Sequence, residues 1–268
     1  MRNILIALVL VLLPVTALAQ KLDLTGIQKR CLWEESDDAR IRACSAELSG
    51  NNLGAHDFRA TLYTARGRAY MRKGDFDKAL ADVTHTLAET DEINASGLNS
   101  DHALALIQRG ELYLKMGKPD LGKSDLSQAI SYFSDQIKDL TEGPPKNPDY
   151  RDWQGLTHSD RVLASLGTSY NGRASAYHLL GEDTLALSDV NKELEFNPKD
   201  SSSLEIRAEI YEKLGRREEA IADYRATIAL TTGKRDDAIG DIHVPLTLGT
   251  NLIAAKDGLT RLGQPQMP

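Results

Sequence analysis

The sequence predicts an all-α protein in which helical hairpins stack into an extended array, an α-solenoid. Two observations predict this fold. Four segments of the chain align with one another without internal gaps. Within them, apolar residues recur at the 3.6-residue spacing of a helix on both sides of a glycine. Units of this kind bury their apolar faces against their neighbours. We therefore expect about five helix–turn–helix units and one C-terminal capping helix.

The first element in chain order is an export signal at residues 1–19. Arg2 gives a charged start, residues 4–13 form an unbroken apolar run, and small residues precede Gln20. This three-part layout is typical of a cleavable secretory signal. The apolar stretch is interrupted by Pro14 and is shorter than the about 20 residues that a spanning helix needs. We expect cleavage before Gln20, a periplasmic or secreted product, and no stable membrane insertion afterwards.

The four aligned segments share residue types at fixed offsets. An Arg is followed by a Tyr four residues later, a Gly eight residues later and an Asp 16 residues later. The Arg, Tyr and Asp residues are Arg66, Tyr70 and Asp82; Arg109, Tyr113 and Asp125; Arg173, Tyr177 and Asp189; and Arg207, Tyr211 and Asp223. The glycines stand at turns between paired helices, where φ > 0 is expected: Gly74, Gly117, Gly181 and Gly215.

This pattern resembles the tetratricopeptide repeat, a 34-residue helix–turn–helix unit with small and aromatic residues in this order. The last two units also have that period, since Tyr177 and Tyr211 are 34 residues apart. The resemblance implies a right-handed superhelix in which the first helices of the hairpins line a concave groove. It places a degenerate N-terminal hairpin at 20–54 and full units at 60–93, 103–136, 167–200 and 201–234.

The recurring Arg and Asp have two interpretations. Their placement on facing helices suggests an ion pair within each hairpin or across a junction, because Arg suits bidentate pairing with a carboxylate. The alternative is a ladder of arginines that lines a groove. A matched acid accompanies every Arg, which favours the structural pair.

Both cysteines of the chain belong to the degenerate first hairpin. In the register of the repeat, Cys31 takes the Tyr position and Cys44 a position on the facing helix, at a separation that suits a disulfide. A cysteine pair ahead of such repeats also resembles a group of exported bacterial tetratricopeptide proteins. The preferred hypothesis is a disulfide. The alternatives are two reduced core thiols or a metal pair, although no His is nearby to complete a metal site.

Uneven spacing between the units indicates insertions. Tyr113 and Tyr177 are 64 residues apart, which leaves about thirty extra residues and places an insert or linker at 137–166. Such an insert is either functional or mobile, or it is an extended helix with a loose entrance. Renewed helical periodicity predicts a capping helix at 246–263, which covers the last exposed face.

The sequence contains no motif that we interpret as a catalytic site. His158-Ser159-Asp160 contains the residue types of a triad, but sequential neighbours do not form a nucleophile–base–orienter chain. The six His are scattered, and we find no zinc-hydrolase helix, phosphate loop or dinucleotide fingerprint. With a formal net charge of −7 and no basic stripe, nucleic acid is a poor partner. We expect no enzyme, no metal and no cofactor.

Binding of a protein or peptide is the function that remains. The positions carried over from the resemblance as facing the groove are Thr64, Arg68, Met71, Arg72, Ile107, Glu111, Leu114, Lys115, Asn171, Ser175, His178, Leu179, Glu205, Glu209, Glu212 and Lys213. Basic residues gather in the first unit and acidic ones in the last, so we expect a polarised groove. The carboxylate clamp of some family members is not matched, and chaperone-tail binding is not expected.

The first hypothesis is therefore a periplasmic adaptor that recruits a partner through the groove or the insert. The alternatives are an architectural array that self-associates through its end helices and, last, an enzyme with a site near the insert. The sequence leaves the oligomeric state and the partner open.

Overall fold

The computed structural model describes residue 31 and residues 36–50, 56–93, 100–142, 158–233 and 253–265. Within these ranges the regular secondary structure is α-helix, without a strand. The helices in chain order are α1 Asp37–Leu48, α2 His56–Arg72, α3 Phe76–Ile93, α4 Ser100–Lys115, α5 Pro119–Glu142, α6 His158–Leu180, α7 Asp183–Phe196, α8 Ser201–Lys213, α9 Arg217–Gly233 and α10 at 253–261. The predicted all-α solenoid is confirmed.

Consecutive helices pair into hairpins, and each hairpin contacts its neighbours. The pairs are α2 with α3, α4 with α5, α6 with α7, and α8 with α9. Adjacent hairpins meet where the second helix of one packs against the first helix of the next, and the first helices also contact one another. This nearest-neighbour packing is the defining property of a solenoid.

A glycine closes the first helix of each of the four hairpins. Gly74, Gly117, Gly181 and Gly215 have φ of 77°, 70°, 83° and 73°. After each glycine, the next N–H donates to the carbonyl of the recurring Tyr five residues earlier, as Arg216 does to Tyr211 at 2.8 Å. This is the Schellman closure of a helix, which requires a left-handed residue. The predicted φ > 0 is confirmed at all four turns.

Small residues bring the paired helices close together. In the second full hairpin a Cβ on Gly110 would stand 2.8 Å from Leu126 Cγ and 3.1 Å from the carbonyl oxygen of Gly122. Leu112, Leu126 and Phe133 are fully buried beside this crossing. The helix backbones therefore approach each other closely at Gly110, and larger apolar residues fill the space on either side.

The ends of the predicted insert 137–166 are helical. α5 continues to Glu142 and α6 begins at His158, and both Ile137 and Leu166 are buried. The alternative of an extended first helix corresponds to α6, and α5 also continues into the insert. Residues 143–157 lie outside the described residues.

The last helix packs on the final hairpin. Ala255 and Leu259 of α10 are fully buried in a cluster with Tyr224 and Ile228 of α9. The described part of the predicted capping helix 246–263 therefore lies where a cap is expected, while residues 246–252 are outside the described ranges.

A disulfide joins Cys31 and Cys44 across a Cα–Cα distance of 4.8 Å. Both residues are fully buried, and α1 packs against α2. The bond ties the chain before α1 to the inner face of that helix. The rest of the predicted hairpin 20–54 is described only at 36–50, and the predicted signal at 1–19 lies outside the described residues.

Candidate functional site: a charged groove on the first helices

The recurring Arg and Asp form a bidentate ion pair inside each hairpin. In all four, Nε and Nη2 of the Arg donate to the two carboxylate oxygens of the Asp 16 residues later, at 2.7–2.9 Å. The Asp side chains are 4–10 % exposed. The guanidinium groups thus link the two helices of each hairpin. The four arginines form the structural pairs and not the alternative arginine ladder along the groove.

Three of these arginines also reach the preceding hairpin. Their remaining nitrogen, Nη1, donates to an oxygen on the second helix of that hairpin. The acceptors lie at 3.0 Å, 3.1 Å and 3.1 Å and are Ser45 for Arg66, Ser134 for Arg173 and Asn191 for Arg207. These acceptors were not predicted from the sequence. Ser45 and Asn191 share one register position, two residues after the Asp position, but Ser134 stands nine residues after its Asp, so no single position in the repeat marks the three acceptors.

Each of the four guanidinium groups lies beside the recurring Tyr of its own hairpin. The Arg Cζ is 5.8–6.0 Å from the centroid of that Tyr ring, within cation–π range. The hydrogen bond with its Asp raises the pKa of Arg66, Arg173 and Arg207 above the usual value. These recurring residues therefore serve as scaffold, and the arginines stay charged.

A second set of charges lies on the first helices and forms what we call the charged groove: Arg68, Glu111, His178, Glu205 and Glu209. Arg68 of α2 is close enough to Glu111 of α4 and Glu205 of α8 to interact with both electrostatically. His178 Nε2 of α6 is 3.7 Å from Glu209 Oε2 of α8. Four helices from four hairpins thus contribute to one surface. Its residues are partly exposed.

Burial raises the pKa of two groove carboxylates, Glu205 and Glu209. The pKa of Glu205 rises to about 8, first through burial and then through the neighbouring carboxylate of Glu209. Burial also raises the pKa of Glu209, against the opposing effect of His178. The pKa of Arg68 is lowered, again mainly by burial. Each of these charged forms is therefore destabilised by loss of water, and additional opposite charge would stabilise it.

Salt bridges flank the charged groove. Arg72 donates to Asp37 of α1 at 3.0 Å. Lys115 is 3.5 Å from Glu111. At the other end, Asp183 accepts from Lys213 at 2.7 Å and lies 2.8 Å from His178 Nδ1. Arg261 of α10 makes a bidentate pair with Glu212 at 3.0 Å. The capping helix therefore contributes a charge to the groove rim.

The remaining predicted groove residues mainly make packing contacts. Met71 and Ile107 are each 8 % exposed and belong to the core, which corrects the expectation that they offer surface to a partner. Leu114 and Leu179 pack against the same core. Thr64 Oγ1 is 3.3 Å from Thr86 Oγ1 of α3. The four apolar side chains face the core because the same side of a first helix also packs against the second helix of its hairpin.

Of the predicted polar residues of α6, two make hydrogen bonds within the scaffold and one faces the groove carboxylates. Asn171 donates to Ser203 of α8 at 2.9 Å, and the Ser175 hydroxyl donates to the Asn171 carbonyl at 3.0 Å. His178 is the residue of this group that meets the groove carboxylates.

Neither a metal cluster nor a spanning helix is found in the described part of the chain. No group of three or more His, Cys, Asp or Glu in those ranges has the arrangement that holds a metal ion. No helix there is long and apolar enough to cross a membrane.

The stacked hairpins, the glycine turns and the recurring Arg, Tyr and Asp define a helical-repeat solenoid with a charged surface on its first helices. The family model of the tetratricopeptide repeat matches residues 60–84 and 201–234. The chain therefore contains tetratricopeptide repeats, as the resemblance implied.

Among curated proteins, the chain is similar to the human DnaJ homolog subfamily C member 3, with 28 % identity over 161 residues. The match covers 60 % of this chain and 27 % of that protein, so the chain spans about a quarter of the length of this relative.

Two solved structures are also similar. One is the TPR2AB domain of yeast Sti1 in a complex with pHSP90, at 14 % identity and a TM-score of 0.28, covering 81 % of this chain and 93 % of that one. The other is the C-terminal part of a TPR repeat-containing protein from Cytophaga hutchinsonii, at 14 % identity and a TM-score of 0.30, covering 84 % and 95 %.

Proposed function

We propose that this protein is a non-catalytic interaction module that holds a peptide or protein segment in the charged groove. The observation that carries the proposal is the convergence of Arg68, Glu111, His178 and Glu205 from four separate first helices. Tetratricopeptide repeats are typically a protein-interaction fold, and curved solenoids offer extended binding surfaces.

The chemistry of the groove indicates the partner. Glu205 and Glu209 lie on one helical face of α8, and both have raised pKa values because of burial. A Lys or Arg side chain of a partner would supply positive charge at that position and would offset the cost of ionising two neighbouring carboxyls. We infer that the bound segment presents a basic residue to α8. A carboxylate of the same segment could pair with Arg68 at the other side of the groove.

A peptide array tests this function. Short peptides with matched lengths and with Lys, Glu or neutral residues at the central positions are incubated with the protein and with the double variant Glu205→Gln/Glu209→Gln. The double variant is expected to lose about tenfold or more in affinity for the basic peptides, because it removes both carboxylates that a Lys or Arg of the peptide would pair with.

The matched control is Glu195→Gln/Glu218→Gln, which removes the same two charges from exposed positions outside the groove. This control is expected to bind as the unchanged protein does. An array with no peptide bound above background would contradict the interaction function. Equal losses in the two double variants would contradict the groove as its site.

We also propose export into an oxidising compartment, with the periplasm as the destination. The signal-like residues 1–19 and the disulfide between Cys31 and Cys44 support this proposal, since disulfides persist in such compartments. Fractionation of expressing cells and mass measurement of the product test it. An exported chain beginning at Gln20 with no thiol titratable after denaturation is expected; a full-length chain with two reactive thiols would contradict it.

The alternative of a self-associating array receives less support. Its end-to-end contact would use the outer face of the last hairpin, and α10 already covers apolar residues of α8 and α9 there. A measurement of solution mass over a range of concentrations separates the two functions. A mass independent of concentration is expected.

A further inference from the structure

Glu193 is a buried carboxyl at the junction between the third and fourth hairpins. It lies on α7, is 2 % exposed, and its Oε2 has no hydrogen-bond partner. On the side of α6, a Cβ placed on Gly167 would stand 3.4 Å from its Oε1, so the helix backbone itself confines the carboxyl. A buried oxygen without a partner is costly, and far more so when it is charged.

Uncharged groups of α6 and α8 surround the carboxyl. The Ser203 side chain of α8 lies close enough to Glu193 to favour its charged form. The Ser203 hydroxyl also accepts a hydrogen bond from Asn171 of α6 at 2.9 Å. Together with Gly167, these residues connect α6, α7 and α8 through one small polar network. The network crosses the junction between two hairpins.

The charged neighbour of Glu193 is the Asp200 carboxylate. Asp200 caps α8 by accepting from the Ser203 N–H at 2.7 Å. It repels a negative charge on Glu193, whereas the Ser203 side chain favours one. Burial is the larger effect and, together with this repulsion, raises the pKa of Glu193 to about 7. Ionisation of Glu193 would therefore place a second carboxylate charge beside the first in a desolvated junction.

We propose that Glu193 is a proton-dependent switch at this junction. The helices pack tightly when its carboxyl is neutral, and their packing loosens when the carboxyl ionises. The consequence reaches the charged groove because α8 carries Glu205 and Glu209. A looser α7–α8 contact changes how firmly that wall of the groove is held. The inference goes beyond the proposed function and holds whether or not a peptide binds.

The direction of the pH dependence follows from proton linkage. The pKa of Glu193 in the folded protein, about 7, is above the ordinary value of 4.5. Between these values the unfolded chain has released its proton while the folded chain retains it. The stabilising contribution is therefore complete below about 4.5 and is lost as the pH rises through about 7.

Hydrogen exchange followed by mass spectrometry tests the proposal. After correction for intrinsic rates, peptides covering α7 and α8 are expected to exchange about tenfold or more faster at high pH than at low pH. Glu193→Gln should remove the part of this difference that lies in α7, because an amide stays neutral at every pH. α8 also carries Glu205 and Glu209, whose raised pKa values give that helix a pH dependence of its own. Glu195→Gln, an exposed change on the same helix, is the control and should keep it. An unchanged pH dependence in Glu193→Gln would overturn the proposal.

Two further measurements keep the proposal testable if Glu193→Gln does not fold. The carbon-13 carboxyl resonance of Glu193 in the unchanged protein should titrate near 7; a midpoint at the ordinary value of 4.5 would overturn the proposal. In Asp200→Asn the cap is retained, since Asn caps a helix as well as Asp does, and the repulsion is gone. The exchange transition should then move to lower pH, and an unmoved transition would count equally against it.

Discussion

At the scale of residues, the recurring Arg and Asp hold this array together from within each hairpin. The pair is bidentate, the carboxylate is buried, and three of the four arginines also bind an oxygen of the preceding hairpin. The ion pair was predictable because both residues recur at a constant spacing of 16. The acceptors across the junctions were not, because Ser and Asn are common on exposed helix faces and their role depends on how two hairpins are stacked.

Removal of one carboxylate from such a pair leaves a partly buried cation without its counter-ion. We expect Asp125→Ala to lower the free energy of unfolding by about 2–4 kcal/mol, somewhat below the loss for a fully buried pair, because the Arg109 side chain is 27 % exposed. Urea denaturation measures the change. Asp139→Ala, an exposed acid on the same helix, is the control and should change little. A loss no larger than that of the control would show that the pair is not structural.

At the scale of elements, the helices and turns were predictable and their lengths were less so. The glycine turns follow from Gly74 and its three counterparts, since few other residues adopt φ > 0. The ends of the insert at 137–166 were ambiguous because a long helix and a helix followed by a polar loop have similar compositions. In the structure both ends of the insert are helical, and Ile137 and Leu166 are buried there. Their burial depends on tertiary packing, which local sequence patterns do not contain.

The capping helix gives a test at this scale through Gly258. A Cβ on Gly258 would lie 2.3 Å from Cζ and 2.5 Å from Cε2 of the Tyr224 ring. Ala is favoured over Gly in a helix by about 1 kcal/mol, yet we expect Gly258→Ala to destabilise by about 1–3 kcal/mol, because overpacking against a rigid ring forces α10 outwards. Thermal unfolding measures this change.

The control for this prediction is Asp257→Ala, at an exposed neighbouring position. It should have little effect, because its side chain is not part of the contact. A more stable Gly258→Ala would mean that α10 does not pack on α9 as described.

At the scale of the whole molecule, the shape of the array determines the electrostatics of the groove. The sequence predicts basic residues at one end and acidic residues at the other. The structure instead brings α2 and α8 close enough for Arg68 and Glu205 to interact. The curvature of a solenoid accumulates from small rotations between repeats, and these rotations depend on packing at every junction. For that reason the composition of the groove was predictable and the electrostatic interaction between Arg68 and Glu205 was not.

The capping helix adds Arg261 to the rim of the groove. This residue lies on α10, outside the four repeats, and pairs with Glu212. No repeat register points to it, because the capping helix has no counterpart among the units.

Carboxyl footprinting with a carbodiimide tests most directly that the groove is the binding surface. A basic peptide selected on the array is added, and modification of individual carboxyls is read by mass spectrometry. Modification of Glu205 and Glu209 is expected to fall about tenfold at saturation, as bound carboxylates lose access to the reagent. The exposed Glu195 and Glu218 should react as before. Unchanged modification of Glu205 and Glu209 at saturating peptide would contradict the account.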